Sequence, residues 1–499
     1  MSDYFQPIPF GDSLPLQNPH AVSVSMPFLQ NVIDYEEGTQ VAIATMKSGY
    51  PRFFQNKFVE KLVHYIRNKY QITSDKIILP IVSIHAKSIL EYLVESQFTC
   101  IEEDENVFLI LENNPEFVKK CKDYIRNIGL LISSRKAESS LYKLDQITTV
   151  FHEEKVLILP ENTIKTVLSK AYSNVSEDSI LLANSGMNAL FAAYETIVNA
   201  RKKEGRTTVI QLGWLYVDTM EIIEKRSDCH LQITIHNKIQ LENWLENNHR
   251  NVATLLTEIT TNPLVQCVDL PWLYNLCKTY KIVLIVDVTI ATPFNVEVLP
   301  YCDIAVESLT KFACGNGDLL MGTLVLNEKN KIVQASKKEF HKFIIPAFEG
   351  EIQRLAFQIQ NYESRMAKVS KNTKIVYDYL KTQSFIKEIY SVLHPDSVDN
   401  FNKIKKSKDS FPGVLSVVFD KDLEFYYDKL LLAKGPSLGA EFTIAMPYVY
   451  LAHYEYLKTE AGKLKLLSLG INPNILRLSI GIESVESIIN AFKIIKSAI

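Results

Sequence analysis

The residues best suited to chemistry stand at the ends of two apolar runs. Asp287 closes the run that begins at Ile282, and Ser308-Leu309-Thr310-Lys311 closes the next one. A lysine amine at a strand end can form a Schiff base with an aldehyde, and a carboxylate on the preceding strand can keep a pyridine nitrogen protonated so that the ring accepts electrons. This pairing predicts pyridoxal 5'-phosphate (PLP) chemistry. From these residues alone, an exposed loop lysine and a turn aspartate are the alternative interpretation.

A second candidate is Ser185-Gly186-Met187, which joins a predicted strand, 179–183, to a helix with an apolar face. Glycine at such a turn lets backbone N–H groups approach a phosphate, and the helix N-terminus favours negative charge. An ordinary capped helix start is the alternative. The chain contains neither the G-x-x-x-x-G-K-[ST] phosphate loop nor the G-x-G-x-x-G of a dinucleotide site. This absence disfavours a nucleotide-dependent dehydrogenase.

Composition excludes several classes of protein. The chain has 499 residues with 54 Lys+Arg against 57 Asp+Glu, so no charge excess indicates nucleic acid or an anionic lipid surface. Its seven cysteines show no C-x-x-C pair and no Cys/His spacing typical of a metal site. No basic leader followed by an apolar stretch opens the chain, and no apolar run is long enough to cross a bilayer. We therefore predict a soluble cytoplasmic protein with small-molecule partners, no membrane or nucleic-acid partner and no metal.

The chain divides into four predicted regions. Residues 1–56, rich in Pro, Gly and aromatics, are predicted to form an extended arm, and residues 57–160 an additional small α/β segment with a structural or regulatory role. Residues 161–384 alternate short apolar strands with helices, which is typical of a mainly parallel sheet covered on both faces, and end in a long helix from about 351 to 382. Residues 385–499 are predicted to form a smaller C-terminal α/β domain. The predicted fold class is α/β.

Six motifs follow one another along the chain: Gly186-Met187, Gly213-Trp214-Leu215-Tyr216, Thr257-Glu258 with Thr261-Asn262-Pro263-Leu264, Asp287-Val288-Thr289, Ser308-Leu309-Thr310-Lys311 and Arg477-Leu478-Ser479-Ile480-Gly481-Ile482-Glu483. In this order they resemble the cystathionine γ-synthase family, the Cys/Met-metabolism group of fold-type I PLP enzymes. Three further stretches, 18–24, 49–54 and 435–439, resemble the larger fungal-type cystathionine γ-synthases. The resemblance covers residues 1–56 and 161–499.

The resemblance implies a role for each matched residue. Lys311 is the lysine that binds the PLP aldehyde and moves protons, Asp287 is the partner of the pyridine nitrogen, and Tyr216 is the aromatic that stacks on the ring. The other cofactor contacts that it implies are Ser185, Gly186, Met187, Ser308 and Thr310 at the phosphate, Asn262 near the phenolic oxygen, and Tyr50 and Arg52 from a neighbouring subunit. Arg477 is the residue that grips the substrate α-carboxylate, with Ser437 beside it. Since a neighbour's arm takes part, a homodimer or homotetramer is expected.

The activity that the resemblance implies is γ-replacement on an O-activated homoserine with cysteine, which gives cystathionine for methionine biosynthesis. A PLP-dependent γ-lyase, an O-acylhomoserine sulfhydrylase and a catalytically inactive assembly protein are the alternatives. The intact set of Lys311, Asp287, Tyr216 and Arg477 argues against loss of catalysis. Glu441 stands one position earlier than the glutamate that helps the family select its substrates, which leaves the substrate and the choice between replacement and elimination open.

Overall fold

The N-terminal arm has more regular structure than the extended segment that we predicted. In the computed structural model, which describes residues 2–497, the arm contains two short strands, β1 (Ser13–Leu14) and β2 (Ser23–Val24), and two helices, α1 (Leu29–Glu36) and α2 (Gln40–Thr45). Leu29 and Val32 share the buried face of α1. The helix α2 begins where the hydroxyl of Thr39 accepts a hydrogen bond from the N–H of Ala42 at 3.3 Å.

The additional segment is an antiparallel sheet with helices on both sides. Its strands are β3 (Ile77–Ile81), β4 (Cys100–Glu103) and β5 (Asn106–Leu111) in the order β3-β5-β4, and its helices are α3 (Lys57–Lys69), α4 (Ile84–Val94), α5 (Pro115–Ile128) and α6 (Ser134–Lys143). Side chains of β5 alternate between two faces. Phe108 packs in the cluster formed with α3 and α6, whereas Leu109 packs in a cluster shared with α4, α5 and the following domain. The segment therefore shares one apolar cluster with the large domain.

The large domain has the predicted α/β architecture. Its strands are β6 (Ile180–Ala183), β7 (Thr208–Leu212), β8 (Cys229–Ile233), β9 (Val252–Glu258), β10 (Val283–Asp287), β11 (Ile304–Ser308) and β12 (Gly322–Leu326), and its helices are α7 (Pro160–Ala171), α8 (Gly186–Lys202), α9 (Val217–Arg226), α10 (Lys238–Asn248), α11 (Leu270–Tyr280), α12 (Lys331–Ala335), α13 (Glu349–Gln358) and α14 (Tyr362–Leu380). The strand order is β6-β12-β11-β10-β9-β7-β8. The strand β12 alone runs in the direction opposite to the other six strands, which confirms the mainly parallel sheet.

The parallel strands bring their carboxyl ends to one edge of the sheet. Glu258, Asp287 and Ser308 end β9, β10 and β11, and Glu258 lies directly opposite Asp287. All seven residues of β9 are buried, and burying a Val or Leu side chain contributes about 1.5–3 kcal/mol each. Ligands of such sheets bind outside the carboxyl ends of the strands. The apolar strands thus fix the place where these polar residues meet.

The long helix predicted from about 351 to 382 consists of two helices. A 3-10 turn, Ile359–Asn361, separates α13 from α14. Arg365 donates a hydrogen bond to the carbonyl oxygen of Gln358 at 3.0 Å, so this carbonyl is satisfied without a further α-helical turn. The apolar spacing continues through the break, and for this reason the sequence predicted a single helix.

The C-terminal residues form the smaller α/β domain that was predicted. Its strands are β13 (Ile386–Tyr390), β14 (Val414–Phe419), β15 (Ala433–Lys434), β16 (Ile444–Pro447) and β17 (Leu476–Ser479), and its helices are α15 (Pro395–Asn402), α16 (Leu423–Tyr427), α17 (Tyr448–Ala452), α18 (Tyr454–Leu457), α19 (Glu460–Ser468) and α20 (Val485–Ser497). The strand order is β13-β14-β17-β16-β15. Arg477 therefore lies on the central strand, where its backbone is held from both sides.

Two further observations concern the whole chain. Within residues 2–497, no helix is both long and apolar enough to cross a lipid bilayer. All seven cysteines are free; five are buried, Cys100 is half-buried, and Cys229, the first residue of the edge strand β8, is exposed. Burial raises the pKa of the Cys121 thiol to about 11, which keeps such an interior thiol protonated and unreactive.

Candidate active site

One cavity collects every residue that the sequence assigned to a site. It has a volume of about 700 Å³ and is bordered by the large sheet, the C-terminal domain, the arm and the additional segment. The predicted residues that line it are Tyr50, Arg52, Ser185, Gly186, Met187, Tyr216, Asn262, Asp287, Ser308, Thr310, Lys311, Ser437 and Arg477. Residues from opposite ends of the chain therefore meet in one place.

Lys311 enters this cavity from the turn after β11. Its Nζ lies 2.9 Å from the hydroxyl oxygen of Ser437 and 4.5 Å from the ring centre of Tyr50. Burial lowers the pKa of Lys311; Tyr50 opposes this shift and the positive charge of Arg477 adds to it. A lysine with a lowered pKa is a better nucleophile and base, because more of its amine is unprotonated.

Two acids, the buried Glu258 and the half-buried Asp287, lie side by side at the strand ends. The carboxylate of Asp287 accepts a hydrogen bond from the N–H of Thr289 at 2.8 Å, and that of Glu258 accepts one from the N–H of Tyr216 at 2.6 Å. Burial raises the pKa of Asp287, although its bonds with Thr289 oppose the shift. Burial, followed by the charge of Asp287, raises the pKa of Glu258 well above its usual value. Within residues 2–497 neither acid forms an ion pair with a basic side chain. The part of the cavity beside Asp287 and Glu258 therefore favours a ligand that carries a proton.

The turn before α8 and the end of β11 form a tight cradle. The Ser185 hydroxyl caps α8, and a methyl group on Gly186 would lie 2.7 Å from Cβ of Ser308. Ser308 is itself fixed, because its N–H donates to the hydroxyl of Thr289 at 2.9 Å. Thr310 lines the same cavity. Hydroxyl groups and a helix N-terminus that is open to close approach suit a phosphate.

The arm contributes two residues to the cavity of its own chain. The guanidinium of Arg52 forms a buried ion pair with Asp218 and donates a hydrogen bond to the hydroxyl of Tyr216. Burial raises the pKa of Tyr50, but the charges of Lys311 and Arg52 outweigh it and bring this pKa below its usual value. In the single chain both residues line its own cavity, and their supply by a neighbouring subunit stays a prediction.

Arg477 borders the cavity on the side of the C-terminal domain. Its guanidinium donates to the backbone carbonyl oxygen of Ser437 and, at 3.3 Å, to the side-chain oxygen of Asn262. Burial lowers the pKa of Arg477 to about 10. Within residues 2–497 no carboxylate pairs with this guanidinium, and its Nε is buried without a hydrogen-bond partner. Such an arginine suits a ligand carboxylate.

Comparison with known proteins decides the family. A sequence profile described as "Cys/Met metabolism PLP-dependent enzyme" matches residues 139–494. The chain belongs to this family. It is 30% identical over 477 residues to the L-2-amino-4-chloropent-4-enoate dechlorinase/desaturase of Streptantibioticus cattleyicolor, and the match covers 95% of each chain. It is 26% identical over 612 aligned positions to the cystathionine gamma-synthase of Neurospora crassa, with 97% of each chain covered.

A solved structure shows the same fold. The crystal structure of cystathionine gamma synthase from Xanthomonas oryzae pv. oryzae in complex with aminoacrylate and cysteine superimposes with a TM-score of 0.56 at 17% sequence identity, and covers 67% of this chain and 87% of that one. The resemblance, the fold class and the PLP requirement predicted from the sequence are therefore confirmed. A match over 95% of the chain must also include part of residues 57–160, so the S. cattleyicolor relative shares at least part of the additional segment.

The cavity of this Cys/Met-metabolism PLP enzyme fits its cofactor. Asp287 is a half-buried acid that lacks a positive partner within the described residues, and it would meet the protonated ring nitrogen. The close approach at Gly186 and the hydroxyl of Ser308 would hold the phosphate. Lys311 would bind the aldehyde, and Tyr216, fixed by Arg52, would pack on the ring.

Among the other residues that line the cavity, Asp218, Thr289, Glu258 and Arg126 are polar or charged side chains to which the sequence assigned no role. Thr289 and Glu258 belong to motifs that were recognised in the sequence. Because they lie next to Asp287 and Ser308, those two residues could have indicated that Thr289 and Glu258 line the site. Arg126 gave no signal, because it lies on α5 in the additional segment. Only the packing of that helix brings its Nε to 3.9 Å from the carboxylate of Asp218.

The glutamate of the substrate-selecting loop does not face the cavity. The carboxylate of Glu441 accepts a hydrogen bond from Nε of Arg365 at 2.8 Å. Beyond Ser437 the cavity is lined instead by Leu438, Met446 and Leu451. The side chains beside the expected substrate position are therefore mainly apolar.

Gly439→Ala should disturb the site, because the backbone of Lys311 passes close by. Gly439 has φ +81, and a methyl group there would lie 2.6 Å from the N of Phe312 and 2.7 Å from the carbonyl carbon of Lys311. We expect a loss of about 3 kcal/mol in the free energy of unfolding, from left-handed strain and overpacking together, and weaker PLP binding. Chemical denaturation and PLP titration measure the two effects.

Gly205→Ala is the matched control for this change. Gly205 has φ +77 with nothing within 4 Å of a new methyl group, so it should lose only about 1 kcal/mol and keep its PLP affinity. Equal effects of the two substitutions would contradict the close approach at Gly439.

Proposed function

We propose that the protein catalyses γ-replacement on an O-activated homoserine, with cysteine as the incoming nucleophile and cystathionine as the product. The observation that carries the proposal is that Lys311 Nζ lies 2.9 Å from the hydroxyl of Ser437, while Arg477 binds the backbone of that same residue. An amino acid whose carboxylate binds Arg477 thus presents its α-carbon to the lysine amine. Relatives named cystathionine gamma-synthase, at 26% identity in Neurospora crassa and 24% in Saccharomyces cerevisiae, support this reaction.

The protein's own groups bind the substrate and move its protons. PLP supplies, when bound, an aldehyde and a ring that withdraws electrons. Arg477 orients the substrate through its carboxylate, and the Lys311 amine takes the proton from the α-carbon, since its lowered pKa favours the unprotonated form. Asp287 holds the proton at the pyridine nitrogen. Tyr50, whose pKa is also lowered, lies beside the lysine and can exchange a proton with it.

The same groups then take part in the bond exchange at the γ-carbon. The protonated Lys311 is placed to return protons along the substrate, while the group on Cγ leaves with its bonding electron pair. The sulfur of cysteine forms the new bond to Cγ, and its thiol proton replaces the one that the leaving group takes. Arg477 is buried and Lys311 is half-buried, which limits the access of water and favours replacement over hydrolysis.

A second candidate is loss of a leaving group from Cγ without a nucleophile. The name of the S. cattleyicolor relative describes removal of chlorine from an amino acid that carries it at C4, with desaturation. Two features of the cavity favour such a reaction here: Glu441, which could bind the amino group of a second substrate, faces Arg365, and Leu438 and Met446 give an apolar wall. An apolar wall accommodates chlorine or an alkene without leaving polar groups unsatisfied.

Product analysis separates the two candidates. The PLP-loaded protein would be incubated with O-acetyl-, O-succinyl- or O-phosphohomoserine, or with L-2-amino-4-chloropent-4-enoate, each with and without cysteine, and the products read by mass spectrometry. We expect cystathionine from an O-activated homoserine only when cysteine is present. Chloride and an amino acid with one more unsaturation than its substrate, formed without cysteine and with no cystathionine in any mixture, would support elimination instead. Lys311→Ala, treated identically, controls for reaction with free PLP.

A further inference from the structure

The last turn of α5, in the additional segment, lies against the phosphate cradle, by which we mean Ser185, Gly186 and Ser308. From these contacts we infer that the additional segment positions the cradle for the PLP phosphate, with Gly129 and Asn184 as the positioning residues. The segment thereby gains a defined part in cofactor binding. The inference depends on the PLP requirement of the family and not on the proposed reaction, so either can fail while the other stands.

A hydrogen bond joins the end of α5 to the residue that precedes the cradle. The side-chain amide of Asn184 donates to the carbonyl oxygen of Gly129 at 2.6 Å. Gly129 ends α5 in the left-handed region, at φ +76, where the carbonyl groups of a helix need partners from outside it. The backbone N–H of Asn184 donates to the carbonyl oxygen of Ile345 at 2.9 Å. The residue before Ser185 is therefore held through both its backbone and its side chain.

The close approach of Gly129 also fixes the hydroxyl of Ser185. A methyl group on Gly129 would collide with Oγ of Ser185. This Oγ accepts a hydrogen bond from the N–H of Asn188 at 3.1 Å and so caps α8. Because a hydroxyl has a proton to donate in addition to its accepting lone pairs, Ser185 keeps its O–H for a phosphate oxygen. A side chain at position 129 would turn the hydroxyl away and cost both bonds.

The same turn of α5 also holds the neighbouring helix α9. Asn127 is buried, and its side-chain amide donates to the carboxylate of Glu221 on α9 at 2.7 Å. The helix α9 begins directly after Tyr216. Beneath these polar contacts, Cys121 and Ile125 of α5 share one apolar cluster with residues of α8 and α9. The end of α5 therefore sets the position of the phosphate turn relative to the turn that carries Tyr216.

Gly129→Ala tests the inference through the affinity for two forms of the cofactor. The full-length apoprotein would be titrated with PLP and with pyridoxal, which lacks the phosphate, and the bound fraction would be counted after borohydride fixation. We expect PLP to bind about 10- to 100-fold more weakly than to the wild type, as for the loss of one charge-assisted hydrogen bond. The affinity for pyridoxal should stay unchanged, whereas a general loss of structure would weaken the binding of both compounds.

Two control variants separate the contact with the cradle from other effects. Gly205→Ala introduces the same backbone strain, because Gly205 has φ +77, but nothing lies within 4 Å of its new methyl group. Phe108→Leu lowers the stability of the additional segment at its other face, since Phe108 is fully buried in the cluster formed with α3 and α6. Both variants should bind PLP and pyridoxal as the wild type does.

Asn184→Leu is a second, independent test, and it carries the decision if Gly129→Ala does not fold. It removes the donor to the Gly129 carbonyl oxygen without adding an atom beside Ser185, and should weaken PLP binding by about 10-fold with no change for pyridoxal. A loss confined to PLP in either variant supports the inference. Wild-type PLP affinity in both variants, or equal losses for PLP and pyridoxal, would overturn it.

Discussion

Replacement of Lys311 by alanine should remove the covalent bond to PLP and lower turnover by about 10⁴-fold, because one amine both binds the aldehyde and transfers the substrate protons. The cavity would otherwise persist: Asp287, Ser308 and Gly186 do not depend on the lysine for their positions. PLP should therefore still bind, without the visible absorbance of the lysine adduct. Borohydride fixation measures the covalent bond, absorption spectra measure the visible absorbance of the lysine adduct, and initial rates measure the turnover.

Lys434→Ala is a useful control for this change, since it removes a lysine that is buried elsewhere in the chain. Its Nζ donates to the carbonyl oxygen of Pro27 at 2.7 Å, away from the cavity lining. It should lower stability but leave the absorbance of the bound cofactor in place. Turnover that survives in Lys311→Ala would exclude the proposed role of this residue.

Replacement of Arg477 by alanine should lower kcat/KM for the amino-acid substrate by about 10³-fold and leave PLP affinity nearly unchanged. The buried guanidinium has no carboxylate partner within the described residues, so its charge is available to the substrate. Loss of a buried, charge-assisted pair costs about 2–5 kcal/mol. Steady-state kinetics and a PLP titration on the same preparation separate the two effects.

Arg477→Lys keeps the positive charge but loses the two-pronged geometry, and it should recover only part of the lost rate. A PLP affinity that falls as far as kcat/KM would place Arg477 on the cofactor instead of the substrate. Neither result depends on which leaving group or nucleophile the enzyme uses.

The positions of the site residues were predictable because parallel strands end at one edge of a sheet. Asp287 and Ser308 each close a short apolar run rich in Val, Ile and Leu, which is typical of a strand buried on both faces. The glycine turn at Gly186 marks the start of a helix in the same way. All predicted site residues line one cavity, while their individual chemical roles stay predictions.

Features that depend on tertiary contacts were missed. The break between α13 and α14 depends on the side chain of Arg365, which lies beyond the break in the sequence. Arg126 reaches the cavity through the packing of α5, and no local pattern of residues expresses that packing. The edge strand β8 was overlooked because its exposed face interrupts the apolar run with His230 and Gln232. In the first two cases local sequence specifies the helix, and distant side chains decide where it ends or what it contacts.

The distribution of the free cysteines provides a reporter of assembly. Among the seven cysteines, all of which lie in the described residues, Cys229 is the one in the exposed class, and burial, the largest cause, raises the pKa of the half-buried Cys100. A maleimide dye should consequently label the unmodified protein at a single position. Mixing donor-labelled with acceptor-labelled chains would then reveal by energy transfer whether subunits associate, and dilution would give the concentration at which they separate.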